Sequence, residues 1–163
     1  MTTPDPSPGS DGPDVAPLHP IVARLETLAT IVATVERERI LAGLGRPAEE
    51  AARATDDPHL GAAVVLVDDP SAGRLAVAEP TTEGRLAATL ARHGEGPCGR
   101  YLTFPEPAPP DALDAFRARA VAAGIALSRV ENGPFGPSIL VLTAPVTGPH
   151  LIVAERRPVP SRS

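Results

Sequence analysis

Apolar and polar positions divide the chain into short blocks broken by Gly and Pro. Ile21, Leu25, Leu28, Val32 and Val35 recur at alternating four- and three-residue spacing, with Val22, Ala29 and Ile31 broadening the stripe. That period predicts a helix from Pro20 to Leu44, closed by Gly45-Arg46-Pro47. Part of its face is expected to form a helix-to-helix seam in a homodimer. Pro47 to Ala54 reads as a further short helix ended by Thr55-Asp56-Asp57-Pro58.

Beyond Gly61 the pattern changes. Ala63 through Val67 is nearly continuous in apolar residues and predicts an interior strand from Ala62. A polar loop at Asp68–Gly73 leads to a return strand over Arg74–Glu79. A helix then starts near Pro80-Thr81-Thr82, packs through Leu86 and Leu90, and stops at Gly94. After a Gly-rich turn, Arg100 to Phe104 reads as a strand, followed by the stiff Pro-rich connection 105–110. Asp111 begins a helix whose buried side carries Leu113, Phe116, Ala120 and Ala123. Strands are expected over Ile125–Val130, Ser138–Thr143 and His150–Glu155, with a loop over 131–137.

This order predicts an α+β domain with a single antiparallel or mixed sheet of five or six strands and helices packed on it. The domain spans residues 19–157. The Pro-rich stretch 1–18 and the end 158–163 bury too little apolar area to order their backbone and are expected to be disordered.

Composition narrows the functional classes. Aromatic residues make up only 2% of the chain, so there is little material for stacking on bases. The formal charge of -5 repels a phosphate backbone, and nucleic acid is excluded as the expected partner. The single cysteine rules out an intramolecular disulfide. With no basic-then-apolar leader and no segment long enough to cross a bilayer, a cytoplasmic location away from the membrane is expected.

The blocks Gly61-Ala62-Ala63-Val64-Val65-Leu66-Val67-Asp68 and Gly73-Arg74-Leu75-Ala76-Val77-Ala78, then a helix entering Gly94-Glu95-Gly96-Pro97-Cys98, resemble the N-terminal half of bacterial GAF domains. The segment Asp114 to Ile125 resembles that family's helix leading into a central strand. The similarity runs over roughly residues 61–143. It implies a noncatalytic sensory or regulatory domain that binds a small molecule or a protein partner, and it names no ligand or cofactor.

The candidate ligand-binding residues are His93, Glu95, Cys98, Arg100 and Tyr101. His93 and Glu95 flank Gly94 at a helix end, where an anionic or polar ligand can be oriented. Cys98 is the only thiol, and a nucleophilic role would require a thiolate and a base beside it. The residues alone supply no such second group, so a Cys98-dependent enzyme and a pure protein-interaction module stand as alternatives. Four scattered histidines do not define a metal site.

Overall fold

A computed structural model of the chain describes residues 20–46, 53–142 and 149–155. The proposed disordered ends and the short helix expected from Pro47 fall almost wholly outside them. Among the described residues the elements are α1 (Pro20–Ala23), β1 (Glu26–Ala33), α2 (Arg37–Gly43), β2 (Thr55–Asp57), β3 (Ala62–Asp69), β4 (Gly73–Pro80), α3 (Arg85–His93), β5 (Gly96–Thr103), α4 (Ala112–Ala122), β6 (Glu131–Gly133), β7 (Gly136–Val141) and β8 (His150–Ala154). None of the helices is long and apolar enough to cross a membrane.

The strands form one 8-stranded sheet in the order β2-β3-β4-β1-β5-β8-β7-β6. That order exposes an internal duplication. Each half runs strand, helix, strand, strand, strand, with its first strand parallel to its last: β1 beside β4, and β5 beside β8. The halves meet where β1 and β5 pair antiparallel. The edge strands β2 and β6 curl round until they touch, so the sheet is an almost closed barrel.

This overturns the expected GAF-like sheet of five or six strands. The largest correction falls on residues 20–44, which are not one helix. Residues 26–33 alternate, burying Ala29, Ile31 and Ala33 on one side with half-buried residues between them, a period of two that a strand satisfies. The β-branched Thr27, Thr30, Ile31 and Val32 suit a pleated surface better than a helix. Of the expected stripe, Leu28, Ala29, Ile31 and Val32 lie in the central strand β1 while Ile21 and Val22 belong to α1, so no continuous helical face exists and the homodimer expected through that helix loses its basis.

Two smaller differences follow from long-range pairing. Residues 125–130 contribute only an isolated bridge, Leu127 to Val141, and the strand lies at Glu131–Gly133, inside the expected loop. The Gly-rich turn is shorter than expected, because Gly96–Gly99 already pairs with β1 and β8 as the start of β5.

Three apolar clusters fix the architecture. Inside the barrel, Ala29, Ile31, Ala33, Val64, Ala76, Ala78, Tyr101 and Ile152 fill the space, and Leu60 and Leu86 cover one end. Outside, α4 lays Leu113, Phe116 and Ala120 on the second half, against Leu102, Ile139 and Val153. On the first half, α2 inserts Leu41 among Val65, Val67 and Val77. Fully burying one such leucine stabilises the fold by about 1.5–3 kcal/mol, and Leu41, the one fully buried side chain of this seven-residue helix, is joined on the cluster by the partly buried Ile40 and Leu44.

Candidate functional site

A cavity of about 790 Å³ opens where α3 ends and β5 begins. Thr30, Thr89, His93, Gly94, Glu95, Gly96, Pro97, Cys98, Gly99, Arg100 and Pro149 line it. Gly94, at φ 76°, lets the chain leave α3 and turn directly into β5, a conformation that a side chain would strain. Pairing with β1 then sets Arg100 opposite Thr30. A register shift between Ile31 and Val32 on β1 leaves Cys98 as the extra residue of a bulge, and its side chain packs against the apolar interior.

Four of the five residues singled out from sequence therefore meet in one lining: His93, Glu95, Cys98 and Arg100. Tyr101 does not join them. It is the next residue on a pleated strand, buried in the barrel interior.

Glu95 is fully engaged. The Arg39 guanidinium donates to both carboxylate oxygens at 2.7 and 2.6 Å, and the Thr34 hydroxyl and Val35 N–H each donate to Oε1 at 3.0 Å. These donors, the Arg39 hydrogen bonds foremost, hold the carboxyl at about 2, so it is ionised at neutral pH and poorly suited to accept a proton. Burial pushes the Cys98 thiol up to about 11, against a smaller opposing pull from a hydrogen bond with the Ala33 backbone. Cys98 is thus a protonated thiol and not the thiolate that nucleophilic attack requires. The Arg100 guanidinium makes no hydrogen bond or ion pair with the described residues.

Beside the cavity, the buried His150 places Nε2 2.8 Å from the Thr89 hydroxyl, which also lies within donating reach of the Arg85 carbonyl at 2.9 Å. Desolvation, with a smaller contribution from Arg85, lowers the His150 pKa.

A second polar group closes the barrel. The Tyr101 hydroxyl donates a hydrogen bond to Asp57 Oδ2, and the His59 backbone N–H donates to Asp57 Oδ1 at 2.8 Å. Nε2 of the His59 ring lies 3.0 Å from the Ser138 carbonyl. Residues from β2, β5 and β7 are tied together where, among the described residues, no backbone ladder joins the sheet edges. Burial, followed by the Asp57 charge, pushes the Tyr101 pKa well up, so it donates as the neutral phenol.

Sequence reasoning missed Thr30 and Thr89 at the cavity, Arg39 behind Glu95, and Asp57 and His59 at the seam. Arg39 was hidden in an assumed continuous helix, and Asp57 in an assumed helix stop. Among the described residues no group of three or more His, Cys, Asp or Glu is placed to hold a metal ion.

The duplicated strand-helix-strand-strand-strand architecture, wrapped around a shared interior, defines the fold class. Solved structures with this arrangement include methylmalonyl-CoA epimerases. The Mycobacterium tuberculosis epimerase superposes with a TM-score of 0.62 at 16% identity, covering 85% of this chain and 91% of that one. A Streptomyces coelicolor epimerase variant in complex with 2-nitronate-propionyl-CoA gives 0.58 at 16% identity, covering 83% and 98%. A hypothetical protein from Bacillus halodurans C-125 gives 0.59 at 12% identity, covering 83% and 96%. No protein-family model and no curated protein sequence matches the chain. The likeness replaces the GAF resemblance, and with it the expectation of a noncatalytic sensory or regulatory domain loses its support.

Proposed function

We propose that the chain is an enzyme that takes a small anionic acyl compound, of which acyl-CoA thioesters are the first class to test, and moves a proton at the carbon beside the carbonyl. The observation that carries this reading is the lining of the cavity at the start of β5, where a cation, an imidazole and a protonated thiol come together. The likeness to methylmalonyl-CoA epimerases over most of both chains supports the choice of substrate class.

Each side chain has a distinct task. Arg100 faces the anionic group and opposes the charge that develops on the carbonyl oxygen. His93 takes the proton: the C–H bond breaks, and its electron pair passes into the enolate. The Cys98 thiol returns a proton to that carbon, and the thiolate left behind regains one from the His93 imidazolium through solvent. A thiol held near 11 suits this donor role and disfavours a covalent intermediate. Glu95 takes no part as a base, because Arg39, Thr34 and Val35 occupy it.

The test is proton NMR of methylmalonyl-CoA and propionyl-CoA in D₂O with the full chain. The expected result is loss of the α-proton signal faster than in buffer, slowed about 10²-fold or more in both His93→Gln and Cys98→Ala, the usual worth of a general acid or base. Exchange no faster than buffer with both compounds would overturn the proposal, as would exchange that neither substitution alters.

A further inference from the structure

The cavity has a feature at odds with anion binding: a carboxylate, Glu95, stands in its lining. We propose that Arg39, which lies outside the lining, is a specificity residue that cancels this carboxylate and so makes the cavity accept anions. The proposal deepens the functional reading above and rests on it for the identity of the substrate, though not for the electrostatics.

The geometry is that of a dedicated cap. The Arg39 guanidinium reaches both oxygens of Glu95 across 56 residues of sequence, at 2.7 and 2.6 Å. A single terminal nitrogen, Nη2, donates to both oxygens, so the positive charge sits midway across the carboxylate as a charge-assisted contact. Thr34 and Val35 fix the same carboxylate from the segment just after β1, and the Thr34 hydroxyl also accepts from the Glu36 N–H at 3.1 Å. Glu95 is therefore held in one place by Thr34 and Val35 with the Arg39 guanidinium on it. The other carboxylate near Arg39 is Glu36, at 3.6 Å from Nε and mostly exposed, a weaker competitor for the same guanidinium. With Arg39 in place, the Glu95 charge is offset and Arg100 is the remaining full charge of the lining. With Arg39 removed, the lining would hold Glu95 and Arg100 as opposite charges whose fields offset each other.

Cys98 reports on this balance without any knowledge of the substrate, because it is the only thiol of the chain and lines the cavity. The experiment compares its labelling by the dianionic reagent DTNB and by neutral 4,4′-dithiodipyridine, in wild type, Arg39→Met, and Arg39→Met with Glu95→Gln. The ratio of the two rates cancels changes in thiol ionisation and exposure common to both reagents. In low salt the anionic-to-neutral ratio is expected to fall roughly fivefold in Arg39→Met, as one uncovered charge within a Debye length requires, and the difference should shrink in 1 M salt. The double variant should return to the wild-type ratio. An unchanged ratio in Arg39→Met, or a fall that Glu95→Gln fails to reverse, overturns the proposal. Propionyl-CoA binding by calorimetry, run on the same proteins, separates the two ideas. If the ratio shifts as expected but wild type binds no propionyl-CoA, the substrate class fails and the role of Arg39 stands. If wild type binds and Arg39→Met binds equally well, the role of Arg39 fails.

Discussion

Replacing Tyr101 by Phe tests whether the barrel is closed by side chains. The ring stays, and with it the packing on Phe135 at a centroid distance of 5.2 Å, so the change isolates the hydroxyl. That hydroxyl is one of two donors found on the Asp57 carboxylate, and both residues are only 1% exposed. A hydrogen bond to a charged group contributes about 1.5–3 kcal/mol net, and leaving a buried charge short of a partner costs about 3–5 kcal/mol at the upper limit. We expect a loss of about 2–4 kcal/mol, placed between those limits because Asp57 keeps the His59 N–H. The assay is urea unfolding followed by circular dichroism, since the chain has no tryptophan. With a slope of about 2 kcal/mol per molar urea, the midpoint should fall by about 1–2 M with the slope unchanged. Asp57→Asn keeps the shape and an acceptor, removes the buried charge, and should cost less. A Tyr101→Phe midpoint within 0.2 M of wild type would refute the reasoning, because the seam would then not depend on this bond.

Further predictions concern the strand and the clamp that shape the cavity. A Cβ at Gly99 would collide with the His150 backbone carbonyl, so Gly99→Ala should force β5 and β8 apart and cost about 3 kcal/mol or more in the same unfolding assay. The Glu95 carboxyl is lowered from 4.5 to about 2 in the folded chain, so its stabilisation is present above the unfolded value. It should be lost as pH falls toward 2, and the difference in melting temperature between wild type and Glu95→Gln should shrink across that window. His150 is lowered by burial, so the unfolded chain takes up a proton first as pH falls through its ordinary value. His150→Gln should therefore flatten the decline in melting temperature between about pH 7 and 5, the range in which an ordinary histidine titrates.

How much was legible depended on whether the signal was local. The apolar run from Ala62 to Val67, the Leu86/Leu90 face and the Leu113/Phe116/Ala120 face each carry their element within a few residues, and the structure has β3, α3 and α4 there. Residues 26–33 fit a helical stripe and a strand alternation equally well, and only pairing with β4 and β5 decides between them. Losing that one central strand hid the duplication and made a GAF-like sheet look sufficient. At the site, His93 to Arg100 are neighbours in sequence, so their grouping could be read. Arg39 with Glu95 and Asp57 with Tyr101 are separated by 56 and 44 residues and meet only through the topology.

The most direct test of the central claim is an NMR titration of the labelled full chain with propionyl-CoA, following backbone amide shifts. The account predicts saturable changes concentrated at Thr30, Thr89 and residues 93–100, abolished by Arg100→Met. Changes confined to another surface, such as the hollow between Arg117 and Arg129, or no saturable change at all, would contradict it.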